Sequence, residues 1–153
     1  MKNTDSPELQ VRPYRDDDWN ELLRVNSALF PVDTELEVEA LRTALAGDDS
    51  EVFVLARPDG SLGGYVEVGS RSYADGCESQ PVAYIEAWYV DPDLRRSGFG
   101  RALLVAAEDW ARSKGFTEIA SDALLDNHVS HRAHEGSGYE EVGRVVQYRK
   151  RLT

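Results

Sequence analysis

One segment constrains this chain more than any other. The run VAYIEAWYV at residues 82–90 leads through Asp91-Pro92 into the turn Arg95-Arg96-Ser97-Gly98-Phe99-Gly100. The run is almost wholly apolar or aromatic, as a central strand buried on both faces is. The next residues carry Leu103, Ala107 and Trp110 at helical spacing, which predicts a helix over about 98–114 with Gly115 as its C-cap. The segment therefore reads as strand, glycine-bearing turn, helix. A helix N-terminus leaves several backbone N–H groups unpaired, and they point toward any anion placed there. Glycine lets a pyrophosphate approach that backbone closely. Arg95, Arg96 and Arg101 concentrate positive charge in an otherwise acidic chain. The turn does not fit G-x-G-x-x-G after a first strand, and it lacks the Lys-Ser/Thr ending of a nucleotide P-loop. An ordinary capped turn with surface arginines is the plain alternative.

The flanks predict the rest of the order. Residues 11–13 read as a short strand. Asp16, Asp17 and Asp18 offer an N-cap and a negative first turn to a helix carrying Trp19, Leu22, Leu23, Asn26 and Phe30 and ending at Pro31. Thr34 and Glu37 form a capping-box pattern for a second helix with Val38, Leu41 and Leu45 on its apolar stripe. Residues 51–57 and 62–69 flank Pro58-Asp59-Gly60 as a hairpin. A polar loop over 70–81 precedes the central strand, where Tyr84, Glu86 and Trp88 are expected on one face by alternation. A strand over 117–122, a short helix over 130–137 and one or two strands within 139–152 complete the chain. The expectation is an α/β fold: a mixed sheet with helices on its faces, in a single domain over 9–153 after a lead-in at 1–8.

Composition narrows the function. No run approaches the ~20 apolar residues of a membrane span, and the first residues lack the apolar core of a signal peptide, so a cytoplasmic, non-membrane protein is expected. The single cysteine, Cys77, rules out an internal disulfide and a Cys-rich zinc site, and no neighbour in sequence would activate it as a nucleophile. His128, His131 and His134 recur every third residue, but a helix cap, solvated faces and a cofactor-facing side chain explain them more simply than a metal, so none is expected. The net charge of -11 repels nucleic acid and anionic lipid and attracts cations, although solubility alone also explains it.

Arg95 to Gly100, with Val90-Asp91-Pro92 before it, resembles the R/Q-x-x-G-x-G/A turn of the GNAT (GCN5-related) N-acetyltransferases, and the likeness runs from Val11 to Leu152. The resemblance implies a GNAT-like acyltransferase fold with splayed central strands and acetyl-CoA as cosubstrate. It places the pyrophosphate on Arg95, Arg96, Ser97, Gly98, Phe99, Gly100 and Arg101. It lays the pantetheine arm along the backbone of Ala87, Trp88, Tyr89 and Val90, and gives Asn127 a further cofactor contact.

Scattered segments look more narrowly like the aminoglycoside 6'-N-acetyltransferases of the chromosomal enterobacterial and Acinetobacter type. They are Tyr73 with Gly76-Cys77, Ser79-x-Pro81, Glu86, Ala120-Ser121-Asp122, His134 with Gly138-Tyr139, and Tyr148-Arg149-Lys150. That likeness implies an acceptor pocket from Tyr73, Glu86 and Asp122, with Phe30 as an aromatic platform where the nearest relatives are expected to carry tryptophan. An amine must be neutral to attack a thioester, so Asp122 or Glu86 is the candidate base; both carboxylates can equally serve to bind a polycation. His134 occupies the family's general-acid position, normally tyrosine, and Tyr139 stands as its alternative. Direct transfer in a ternary complex is implied, and so is a homodimer, to which the apolar Val146 and Tyr148 are suited. Another amine acceptor, such as a polyamine, small metabolite or protein N-terminus, remains open, as does a non-catalytic acyl-CoA sensor.

Overall fold

A computed structural model describes residues 8–32 and 34–153, without the Thr34 side chain; residues 1–7 of the expected lead-in at 1–8 and the Thr34 capping box lie outside the described residues. Five strands form one sheet in the order β1-β2-β3-β4-β5: Gln10–Pro13, Glu51–Ala56, Leu62–Arg71, Val82–Val90 and Ile119–Ala120. The first four pair antiparallel and β5 lies parallel to β4, so the sheet is mixed as expected.

Helices cover both faces. On one, α1 (Trp19–Leu29) and α2 (Thr34–Ala46) bury Leu22, Val25 and Leu41 against Val52, Val54, Tyr65 and Ala87. On the other, α3 (Phe99–Ser113) buries Leu103, Leu104, Ala107, Trp110 and Ala111 against Leu55, Val66, Val68 and Ile85. A short α4 (His128–Gly136) follows β5. The α3 stripe is the one its sequence spacing predicts. The three aspartates act differently from a helix cap. They form a 3-10 turn, and buried Asp18 turns back to accept the Arg15 backbone N–H at 2.9 Å and to pair with Arg12 at 2.7 Å.

Two features of β4 depart from the sequence reading. Glu67 faces Ala87 while Val68 faces Ile85, so Glu86 is an extra residue, a β-bulge. The bulge breaks the alternation. Trp88 packs with the α3 cluster, whereas Tyr84 and Glu86 meet Arg71, so the three residues do not share a face. The strand expected over 117–122 shrinks to Ile119–Ala120, because β5 pairs with β4 only through Ala83↔Ile119 and Tyr84↔Ala120 before the two diverge. Beyond that fork, residues 85–90 of β4 have no strand partner on that side among the described residues.

The terminal strands expected within 139–152 do not form. Residues 140–153 are exposed and without regular structure, with Val145, Val146 and Tyr148 all facing solvent. A strand needs a partner edge, and a two-residue β5 offers almost none.

Candidate active site

The open edge of β4 is the centre of the site. Asp91 N–H donates to the Gly63 carbonyl at 2.7 Å, which makes Val90 and Gly64 a non-hydrogen-bonded pair. By strand alternation, Trp88 and Val90 then present their N–H and C=O groups to the open side, while Tyr89 bonds to β3. The Val90 carbonyl accepts from Arg95 Nε at 2.9 Å, so Arg95 is bound to the edge it follows.

Asp91 anchors this end of the strand. Its buried carboxylate accepts from Arg24 at 3.0 Å, Arg57 at 3.0 Å and the Tyr89 hydroxyl at 3.1 Å, joining α1, the β2–β3 turn and β4. Burial alone would raise its pKa; Arg24 and Arg57 outweigh that and hold the carboxyl below its ordinary range. Position 96 has φ 63° and Gly98 φ 85°, a left-handed pair that turns the chain sharply into α3. A Cβ on Gly98 would meet nothing within 4 Å, so the turn opens onto free space at the helix N-terminus, as a phosphate cradle requires. Trp88 Nε1 donates to the Gly100 carbonyl at 3.0 Å and ties the turn to β4.

At the other end, where β4 and β5 part, Arg71 and Tyr84 link the two predicted carboxylates, of which Asp122 borders an open cavity and Glu86 does not. Arg71, at the end of β3, donates to both Glu86 oxygens at 2.9 and 2.8 Å. Its guanidinium lies 3.5 Å from the centre of the Tyr84 ring, and the Tyr84 hydroxyl donates to Asp122 in a very short hydrogen bond. Burial, then Asp122, push the Tyr84 phenol well above its usual pKa, so it serves as a donor and stays protonated. Tyr73, Tyr84, Ser121, Asp122 and His134 border one open cavity of about 1180 Å³, whose rim includes Val142 and Val145 of the tail. Phe30 is not part of that border; it packs with the α1–α2 cluster.

His134 projects from α4 against Trp88, ring centres 5.1 Å apart and edge-on at 81°. Its Nε2 lies 2.8 Å from Ser121 Oγ and its Nδ1 2.8 Å from the Ser130 carbonyl. The Tyr139 hydroxyl donates to Glu108 at 2.9 Å; burial, then Glu108, raise its pKa, so the phenol stays protonated with its hydrogen engaged by Glu108. Asn127 caps α4 by accepting the Ser130 N–H at 3.1 Å. His131 Nε2 meets the Leu124 carbonyl at 2.8 Å, and among the described residues no three His, Cys, Asp or Glu side chains gather as a metal requires. Burial, then Glu118, raise the Cys77 thiol, the opposite of nucleophile activation. Among the described residues no helix is long and apolar enough to cross a membrane.

Sequence reasoning missed Glu67, whose side chain is largely buried in β3 near Glu86 and Glu37. Burial, then Glu86 and Glu37, push its carboxyl up to about 7. It also passed over Arg71 and Ser121 as site residues. A glutamate inside the apolar strand LGGYVEVG was the available signal for the first.

Comparison with known proteins agrees with this geometry. The acetyltransferase (GNAT) family model matches residues 16–139. An aminoglycoside N(6')-acetyltransferase type 1 of Klebsiella aerogenes is 39% identical over 146 residues, covering 93% of this chain and 96% of that one. Its counterpart in Stenotrophomonas maltophilia is 42% identical over 125 residues, 81% of each. The crystal structure of an aminoglycoside 6'-N-acetyltransferase of Acinetobacter baumannii superposes with a TM-score of 0.86 at 28% identity, covering 95% of this chain and 100% of that one. A related 6'-acetyltransferase solved with the bisubstrate analogue CoA-S-monomethyl-acetylneamine also gives 0.86 at 28% identity, covering 95% and 99%. With the family model over residues 16–139 and relatives of 39% and 42% identity over most of their length, the chain belongs to the GNAT acetyltransferase family.

Proposed function

We propose that this protein transfers the acetyl group of acetyl-CoA to the 6'-amine of an aminoglycoside, by direct attack in a ternary complex. The carrying observation is the open β4 edge, with the Gly98 turn at one end and, at the other, the fork where Arg71 and Tyr84 hold Glu86 and Asp122. The pyrophosphate lies on residues 95–101 with the N-terminus of α3, the pantetheine arm pairs with the edge over 87–90, and Asn127 adds a contact from α4. N–H groups of that edge stabilise the tetrahedral oxyanion. Tyr73, Glu86 and Asp122 bind the acceptor, Phe30 contributes from the α1–α2 side, and Asp122 or Glu86 takes the proton that the acceptor nitrogen gives up, so that a neutral amine attacks. His134 supplies the proton that leaves with coenzyme A. The reaction runs inside the cell, where acetyl-CoA is found.

The test is an acetyl-CoA-dependent panel of kanamycin, tobramycin, spermidine and peptides, read by thiol release and product mass. Kanamycin and tobramycin are expected to gain one acetyl group at the 6'-nitrogen, and an aminoglycoside with a 6'-hydroxyl none. Preferential acetylation of spermidine or a peptide overturns the acceptor.

The working unit is a homodimer. Val145, Val146 and Tyr148 are exposed on a tail without regular structure, an apolar surface that a second copy would cover. Analytical ultracentrifugation at micromolar concentration is expected to give twice the chain mass, and a chain ending at Glu140 the monomer mass. A monomeric full-length protein rejects the dimer.

A further inference from the structure

We propose that Ser121 hands the proton to the departing coenzyme A thiolate, and that His134 acts behind it by recharging the serine. This rests on the acetyl-transfer reading above.

The partners of its Nδ1 select the tautomer of neutral His134. Two Ser130 atoms face Nδ1, the carbonyl at 2.8 Å and the hydroxyl at 3.2 Å; the nearer carbonyl can only accept a hydrogen bond, so Nδ1 carries a hydrogen and the hydroxyl is left the longer contact. The neutral ring then has a bare Nε2, and Ser121 Oγ at 2.8 Å donates its hydroxyl hydrogen to it. Neutral His134 therefore has no Nε2 proton to give. In the imidazolium form, the Nε2 proton points at Ser121 Oγ. In both states the next group in line is the serine. The ring is also held edge-on between Trp88 at 5.1 Å and Tyr139 at 5.7 Å, so turning it toward another partner sacrifices its hydrogen bonds and its packing.

Ser121 stands where the sulfur is expected. It is the first residue beyond the last β4–β5 pair, Tyr84↔Ala120, and so occupies the apex of the fork. Five steps of extended chain separate Ile85 from Val90, about 17 Å at strand rise. That span suits a pantetheine arm running from a pyrophosphate at the Gly98 turn to a thioester at the apex. Neighbouring Asp122 turns to the acceptor side through Tyr84, so consecutive residues serve opposite sides of the thioester.

The step balances as follows. The amine nitrogen attacks the thioester carbonyl, and its proton goes to Asp122 or Glu86. The C–N bond forms, and the C–S bond breaks with its electron pair on sulfur. The Ser121 hydroxyl proton passes to sulfur, giving the thiol, while the Nε2 proton of the His134 imidazolium passes to the serine oxygen. His134 is left neutral with its Nδ1–H on Ser130, and a solvent proton restores the imidazolium.

Two measurements on the full-length protein test this. Side-chain 15N NMR of the free wild-type protein reads the tautomer: a neutral His134 protonated at Nδ1 is expected, and one protonated at Nε2 overturns the relay whatever the acceptor proves to be. Kinetics with kanamycin then compare Ser121→Ala and Ser121→Thr. The alanine variant is expected to lose at least tenfold in kcat with its calorimetric acetyl-CoA affinity within twofold of wild type, and the threonine variant to recover to within threefold. A folded alanine variant with wild-type single-turnover rate overturns the proposal, as does a threonine variant no better than alanine. Wild-type protein that binds acetyl-CoA but acetylates no amine defeats the acetyl-transfer reading instead, and the NMR result still decides the relay geometry.

Discussion

The Tyr84 hydroxyl donates to Asp122 across the fork between β4 and β5, so the carboxylate that ends the Ala120-Ser121-Asp122 segment is held by β4, the strand from which its own has just parted. This bond fixes Asp122 although the residue lies beyond the paired part of β5 and is exposed. A fixed carboxylate beside an aromatic ring is a good partner for one ammonium of a polycationic acceptor. Asp122→Asn keeps the shape and removes the charge. Its kcat/KM for kanamycin is expected to fall at least tenfold, about 1.4 kcal/mol of transition-state stabilisation, with acetyl-CoA affinity unchanged because the phosphate turn is built elsewhere. Unchanged kcat/KM removes Asp122 from the site and shifts its role to Glu86.

Arg71 already fills the second half of this pocket. It chelates Glu86 and lies on the Tyr84 face, the place and the bonding an acceptor ammonium would take. An incoming cation must therefore compete with a resident one. Arg71→Gln is expected to lower KM for kanamycin severalfold while kcat changes less than twofold. A raised KM in steady-state kinetics would show instead that Arg71 orients Glu86 for the acceptor.

The phosphate turn separates backbone strain from charge. At φ 85° any side chain on Gly98 is strained, yet its Cβ would point into open space. Gly98→Ala is expected to cost about 1 kcal/mol of stability and little acetyl-CoA affinity. Gly98→Glu adds the same strain and a negative charge at the N-terminus of α3, so its affinity should fall more than tenfold. Calorimetry on the two folded variants checks this, and equal affinities contradict the cradle.

Much of this was legible in the sequence because it depends on local pattern. The β4 run, the Gly98 turn and the Leu103–Ala107–Trp110 stripe each declare themselves within a few residues, and the family likeness supplied the chemistry they share. The failures were nonlocal. Strict alternation put Trp88 beside Glu86, and a bulge visible only in the pairing with β3 sent it to the α3 face. Apolar content marked 139–152 as strand, but a strand exists only against an edge, and the two-residue β5 offers almost none. His134 carried the family's acid position, while its dependence on Ser121 and Ser130 follows from how α4 sits against the exit of β5.

Glu67 gives the site a pH dependence of its own. Its unfolded value is the ordinary 4.5, and in the fold burial, with Glu86 and Glu37 nearby, lifts it to about 7. A carboxyl raised on folding favours the native state fully below the unfolded value, and that advantage is lost as pH rises through the folded one. Wild-type stability is therefore expected to decline between about pH 4.5 and 7 from this group. Glu67→Gln stays neutral throughout, so it should match wild type near the lower limit and be more stable by about 3 kcal/mol at alkaline pH, read by urea unfolding at both ends. A difference that is constant with pH would remove the burial of charge as its cause. The same group links pH to the acceptor. A polyammonium drawn to Glu86 offsets the negative charge around Glu67 and lowers its pKa, so binding near neutrality releases a proton from wild type. Calorimetry of kanamycin binding in buffers of different ionisation enthalpy should show that release, and Glu67→Gln should abolish it. Equal proton release from both proteins would place the titrating group elsewhere.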